Sequence, residues 1–394
     1  MTALTPSTDL DDLTTRMRAF INDEVIPAEP RLIHEEHSDA ITLDGLRRRA
    51  KDLGLWALGH PADVGGGGLP FLDFVYLNEI IGRSEFGQLA VGSVSMQDTL
   101  MFYKHGTPEQ KQRWIPPMVA GDIFPSVGLT EPEVAGSDPT LIATRADLDG
   151  DTWIINGHKW FTTGAAQAAY CSVFARTESD DVPRHSRVTA FIVPTDTPGF
   201  EIVRSIPTMG HDPSDHYEIR LTDVRVPASN ILGERGKGFI VAQDRLGAGR
   251  IFHGMRWLGQ AQRAFELMCD RANTRFAHGS LLAEKGEIHR YIAESAAEIH
   301  AARLMTLDAA RQIDSGEDFR VQVGLVKFWC ARMLHNVVDR AIQVHGALGL
   351  TADTPLERMY RQARYARVYD GPDEVHRMST ARRMLKDPEA VPWR

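Results

Sequence analysis

The spacing of apolar residues changes twice along this chain, restricting the fold to helices, then strands, then helices again. Near the start, Leu10, Leu13, Met17, Phe20 and Ile21 recur at steps of three and four, which places them on one helical face. The same period runs through LDGLRRRAKDLGL and FLDFVYLNEIIGRS. In TPEQKQRWIPPMV, Thr107 is an N-cap, Pro108 takes the first helical position and Gln110 closes a capping box. Beyond Ile123 the pattern shortens: TRADLDGDTWIINGHKWFTTG carries Asp149-Gly150 and Asn156-Gly157, both predicting hairpin turns between short runs of strand formers. Further strands are predicted in AAYCSVFART, RVTAFIVPTDTPGFEIV and HYEIRLTDVRVP. After NILGERGKG the helical period returns, with Ile288, Ile292, Ser295, Ile299 and Ala302 stepping by four, three, four and three. The expectation is an α+β multidomain chain: an N-terminal α-helical domain over 1–122, a central antiparallel β-barrel or sandwich over 123–235, and a C-terminal four-helix-bundle domain over 236–394.

With 394 residues the chain exceeds one ordinary core and can bury a large cofactor. Its net charge of −9, from 44 basic and 53 acidic residues, argues against general attraction to nucleic acid or an anionic membrane. Three scattered cysteines, Cys171, Cys269 and Cys330, read as reduced thiols rather than a disulfide framework. The start, MTALTPSTDLDDLTTRMRAF, lacks an apolar core of the signal-peptide kind, and no later stretch reaches the roughly 20 apolar residues of a membrane span. A soluble cytoplasmic protein is expected.

Several short motifs carry no function alone. GERGKGF lacks the spacing of a phosphate-binding loop, and Gly65 to Gly68 are not followed by the helix such a loop needs. His34 and His37 in HEEH miss the i, i+4 spacing of helical zinc ligands and read as solvated; no metal is expected. Arg358, Arg361, Arg364 and Arg367 form a basic stripe that could meet phosphates, a partner's carboxylates or nucleic acid, although such a stripe is usually a salt-bridged surface.

Three segments, PSVGLTEPEVAGSDP, INGHKWFTTGA and RVYDGPDEVHR, occur in this order with the β region built around the first two. Together with YKHGTPEQKQRWIPPMVAGD, DVRVPASNILGERGKGF and AIQVHGALG they resemble the acyl-CoA dehydrogenase family over nearly the whole chain. DGPDEVH and LGAGRIFHGMR are most similar to the dehydrogenase domains of the acyl-CoA dehydrogenase 10 and 11 type.

The resemblance implies FAD held without a dinucleotide-binding fold, an acyl-CoA substrate, and an electron-transfer flavoprotein as electron acceptor. It places Leu129 and Thr130 of GLTEP at the isoalloxazine edge and Phe161 and Thr163 of KWFTTG beside the ring, with Phe161 where tryptophan is common. Arg275 matches an arginine that reaches the FAD phosphates of a neighbouring subunit, and Gln343 and Gly346 match the loop that partners it, so a homodimer or homotetramer is implied. His278 and Ala347 depart from the family's phenylalanine and glycine near these positions. Pro372 and Glu374 join the cofactor contacts, while Ser137, Arg250, Gly371 and Arg382 fall at acyl-CoA-contacting positions.

Asp370 in YDGP stands where the family's catalytic glutamate stands in YEG. Its other reading is an acidic residue favouring the next helix N-terminus. Oxidation between the α and β carbons of a thioester needs a base for the α proton, a hydride acceptor and stabilisation of charge on the carbonyl. As the base, Asp370 is one CH₂ shorter than glutamate, and burial beside the cofactor should raise its pKa. Gly249 occupies the alternative base position of some relatives, and Leu246 and Gly247 replace an acidic contact to CoA. Rival readings are a nitroalkane oxidase-like flavoenzyme, a flavin-bearing DNA-associated protein using the arginine stripe, and a non-catalytic binding module.

Overall fold

The computed structural model describes residues 10–34, 40–210 and 214–390; His37 of the HEEH pair lies outside them. Seven helices come first: α1 (Asp11–Phe20), α2 (Ile26–His34), α3 (Ala40–Asp52), α4 (Phe71–Ile81), α5 (Gly87–Ala90), α6 (Met96–His105) and α7 (Pro108–Ala120). The strands follow as β1 (Pro125–Gly128), β2 (Arg145–Asp149), β3 (Thr152–Thr163), β4 (Tyr170–Arg176), β5 (Val188–Pro194), β6 (Phe200–Ser205), β7 (His216–Pro227) and β8 (Ile231–Leu232). The 37-residue α8 (Gly238–Thr274) leads through a two-stranded hairpin to α9 (Gly286–Ser315), α10 (Arg320–His345), α11 (Leu356–Ala366) and α12 (Asp373–Lys386). The chain divides into two compact units, one of residues 1–59, 68–93 and 247–394, the other of 60–67 and 94–246.

In the first unit, α10 packs against α9, α11 and α12, and α4 packs against α9 and α1. The contact between α4 and α8 is backbone on backbone. A Cβ at Gly82 would come within 2.3 Å of Arg256 Cα, and one at Gly259 within 2.1 Å of the Glu79 carbonyl oxygen. Only glycine permits that approach. Asn78 Nδ2 donates to the Phe252 carbonyl at 3.0 Å and Phe74 meets the Phe252 ring edge-on, so α4 fixes the stretch of α8 around residue 252. Ion pairs Arg263–Glu29, Arg83–Glu266 and Arg303–Glu79 tie the early helices to the later ones.

In the second unit all eight strands join one sheet in the order β6-β7-β3-β2-β4-β5-β8, with β1 beside β4. Most pairings are antiparallel, as the turn signals predict, but β1 and β2 each run parallel to β4, making the sheet mixed. The Asp149-Gly150 turn is present, joining β2 to β3. Asn156-Gly157 is not a turn: both residues lie inside β3, opposite a register shift in β7. The Asn156 amide bonds the side chain and the backbone N–H of Asp223, whose φ is +49°. Gly157 is required because a Cβ there would lie 2.2 Å from Thr144 Oγ1. The dipeptide therefore serves an irregularity in the sheet rather than a chain reversal. The capping box at Thr107 and Gln110 forms as predicted, and the Gln110 amide also reaches the carbonyls of Ser229 and Ile231.

Among the described residues no helix is long and apolar enough to cross a membrane. Cys171 and Cys330 are buried thiols, pushed up to about 12 by burial.

Candidate active site

Asp370 lies in the short turn between α11 and α12. It has φ +53° and Gly371 follows at +98°, two consecutive left-handed residues. Aspartate tolerates this conformation better than most side chains, and glycine adopts it freely. The φ of Gly371 favours glycine, and a Cβ there would sit 2.7 Å from His376 Nε2 and displace the imidazole.

Donors from three helices hold the turn. On α8, Arg250 Nε donates to the Asp370 carbonyl at 3.2 Å; on α12, His376 Nε2 donates to the same oxygen at 3.0 Å. On α10 the buried Lys327 ammonium donates to the carbonyls of Ala366 at 2.8 Å and Gly371 at 3.2 Å, with its charge over the Trp257 and Tyr369 rings. The Asp370 carboxylate meets His253 Nε2 at 2.9 Å through Oδ2, and His253 Nδ1 meets Arg256 Nη2 at 2.6 Å.

Several of these groups are electrostatically perturbed. Burial, then Arg256, lowers His253 to about 4, and burial, then Arg250, lowers His376 to about 4. Burial lowers Lys327 to about 8, against the pull of Asp370 and Asp373. Both histidines are thus neutral near pH 7. A strained backbone, perturbed titrating groups and a carboxylate at the focus are features that cluster at functional sites.

In the sheet unit, Leu129, Thr130, Phe161 and Thr163 come together although about thirty residues separate the two pairs in sequence. Trp160 N–H donates to the Thr130 carbonyl at 3.1 Å, and Ser126 Oγ donates to the Thr163 carbonyl at 2.8 Å. Beneath them the fully buried Lys159 ammonium bridges the Leu129 carbonyl, the Phe174 carbonyl and the Glu131 carboxylate at 3.1, 2.7 and 2.8 Å. Phe161 has φ +50° and remains 43 % exposed, with His216 5.7 Å away and bonded to the Thr163 hydroxyl at 2.9 Å. An exposed aromatic face on a strained backbone beside hydroxyl and amide groups suits a flat heteroaromatic ring. FAD fits this donor set.

The remaining candidates are spread over their own units. Ser137 is exposed in the loop after β1. Arg275 is exposed just past α8 and forms no ion pair among the described residues, while Gln343 and Gly346 are exposed at the end of α10. Pro372 caps α12, Glu374 is exposed in its first turn and Arg382 is exposed near its end. In the arginine stripe, Arg358 pairs with Glu85, Arg361 with Glu357 and Arg367 with Asp373, the salt-bridged arrangement.

His253, Arg256, Lys327, His376 and Lys159 emerge only from the structure. A signal for the α8 set exists in sequence: Arg250, His253 and Arg256 step by three, with Trp257 and Gln260 continuing the face.

Models of the acyl-CoA dehydrogenase N-terminal, middle and C-terminal domains match residues 7–122, 126–224 and 236–385. The chain belongs to the acyl-CoA dehydrogenase family. Members of the family are FAD-dependent oxidoreductases, and FAD is this chain's cofactor. The chain is 41 % identical to "Probable acyl-CoA dehydrogenase FadE2" of Mycobacterium tuberculosis, covering 95 % of each. It is 36 % identical to acyl-CoA dehydrogenase family member 11 of Rattus norvegicus over 95 % of this chain, but it spans only 50 % of the rat protein's length. The butyryl-CoA dehydrogenase structure from Megasphaera elsdenii superposes with a TM-score of 0.85 at 28 % identity, covering 97 % of this chain and 99 % of that one. An acyl-CoA dehydrogenase fold, with N-terminal helices, a central sheet and a C-terminal helical bundle, is thereby established for it.

Proposed function

We propose that the protein oxidises an acyl-CoA thioester to its 2-enoyl-CoA, with Asp370 as the base that removes the α proton. The observation that carries this reading is the turn itself: a carboxylate on strained backbone, fixed by donors from three helices, at the family's base position. Such fixation reduces the reorganisation required when the proton is taken. Bound FAD supplies the hydride acceptor, which no protein side chain can be. Leu129, Thr130, Phe161 and Thr163 would hold its ring, and Pro372 and Glu374 would lie against it. Arg275 with Gln343 and Gly346 would reach the FAD of a neighbouring subunit in a homodimer or homotetramer.

The Asp370 backbone N–H would donate to the thioester oxygen as charge develops there. Ser137, Arg250, Gly371 and Arg382 would contact the acyl-CoA. Arg250 already spends one donor on the Asp370 carbonyl, and its rigid fork retains others for substrate. Electrons would leave to an electron-transfer flavoprotein, and a role in cytoplasmic fatty acid metabolism follows.

Asp370→Asn tests the base. The variant should keep its yellow flavin yet lose about 10²–10⁴-fold in the rate of anaerobic flavin reduction by acyl-CoA, the usual contribution of a base. Normal reduction by a flavin-loaded variant sinks the assignment. Enoyl-CoA analysis and oxygen uptake, measured with and without an electron-transfer flavoprotein, separate a dehydrogenase from a nitroalkane oxidase-like enzyme.

A further inference from the structure

Behind Asp370 lies a second layer that the α-proton chemistry does not use. His253 and Arg256 project from α8 one turn and two turns beyond Arg250, and together they make a chain of two contacts ending on the carboxylate: Arg256 Nη2 to His253 Nδ1 at 2.6 Å, His253 Nε2 to Asp370 Oδ2 at 2.9 Å. Direction follows from chemistry. A guanidinium has donors and no acceptor, so His253 Nδ1 must accept, and an imidazole that accepts at Nδ1 carries its proton at Nε2. Nε2–H therefore donates, and Asp370 Oδ2 accepts.

The chain is also rigid. The His253 ring stacks on Trp257 at 5.6 Å and 17°, and it meets Tyr369 edge-on at 4.9 Å. Trp257 Nε1 donates to the Tyr369 hydroxyl at 3.0 Å, joining α8 to the residue next to Asp370. Arg256 is placed by the Gly82 crossing, where nothing larger than hydrogen fits against its Cα.

We infer that His253 and Arg256 are positioning residues for the Asp370 carboxylate, with Arg256 fixing the neutral His253 tautomer that donates to Oδ2. This rests on Asp370 being the base. Aspartate is a CH₂ shorter than the family's glutamate, and a shorter side chain aimed by a fixed donor has fewer ways to miss the α proton. A neutral donor also orients the carboxylate without the full positive charge of an imidazolium, which would weaken it as a base. Other charged and titratable groups that act on Asp370 include Arg250 on α8, Lys327 on α10, His376 on α12 and Tyr369 beside it.

The test compares His253→Leu, His253→Gln and Asp370→Asn as FAD-loaded enzymes, by anaerobic flavin reduction across pH with butyryl-, octanoyl- and palmitoyl-CoA. His253→Leu should retain flavin, lose at least about tenfold in limiting rate and move the ascending limb of the pH profile upward by about one unit, because an ionised carboxylate loses a donor. Glutamine can donate from nitrogen and accept at oxygen, so His253→Gln should return the limb to its wild-type position and recover most of the rate. A His253→Leu enzyme with wild-type rate and limb overturns the inference. So does a His253→Gln enzyme as impaired as the leucine variant with the limb unmoved. If His253→Leu does not fold, Arg256→Met is read by the same two criteria. Should none of the three thioesters reduce the wild-type flavin, coupling is read from unfolding: His253→Gln and Asp370→Asn combined should lower Tm by less than the sum of the separate shifts, and additive shifts overturn the inference. An inactive Asp370→Asn beside an unaffected His253→Leu removes the positioning role and leaves the base intact, whereas an active Asp370→Asn removes both.

Discussion

Asp370 and Gly371 could be identified from the letters YDGP because the turn is local, its left-handed pair being set by adjacent residues. The contacts that support them were not readable in the same way, since His253 and Lys327 are distant from Asp370 in sequence and only helix packing brings them together. The two neutral histidines carry a consequence for stability. Both have folded pKa values of about 4, below the ordinary 6.5, so the unfolded chain binds more protons between those values and stability is lost as pH falls through that window. From pH 7.5 to 5.5 each should cost about 1 kcal/mol. Thermal unfolding of the holoenzyme should therefore show a steeper acid loss than that of a His253→Gln, His376→Gln double variant; equal losses would show that these histidines are not the buried bases described.

Helices and strands were readable from periodicity wherever one face is buried and the other wet. The Asn156-Gly157 pair misled because the same dipeptide that favours a hairpin also serves a strand irregularity where the Thr144 side chain leaves no room for a Cβ. The mixed character of the sheet was hidden for a related reason: parallel pairings join distant segments and leave no turn to recognise. The crossing of α4 on α8 was equally silent, since an isolated glycine in a helix says nothing about what lies against it. Gly259→Ala drives a Cβ to 2.1 Å from the Glu79 oxygen, and overpacking of this kind costs about 1–3 kcal/mol. Calorimetry should record a fall in Tm of several degrees, together with slower flavin reduction, because the crossing also seats Arg256. Gly45→Ala in α3, where a Cβ would meet nothing within 4 Å, is the matched control and should be neutral or slightly stabilising. Equal Tm changes in the two variants would remove the crossing from the account of the site.

For the molecule as a whole, the charge balance and the arginine stripe point the same way. With a net charge of −9, and with Arg358, Arg361 and Arg367 paired to carboxylates, Arg364 is left as the stripe's exposed arginine without an ion pair among the described residues, a small positive surface for a polyanion. Arg275 is likewise exposed and without an ion pair among the described residues, which is how an arginine reserved for a phosphate outside its own protomer should stand. Arg275→Ala should therefore leave the fold unchanged and lower the fraction of protein that keeps FAD through gel filtration, while the flavin that remains is reduced at close to the wild-type rate. Those two readings separate holding the cofactor from using it, because the Asp370 turn belongs to other helices. Full flavin retention in Arg275→Ala would place the phosphate contact elsewhere, and sedimentation of the wild-type holoprotein as a monomer would withdraw the shared site altogether.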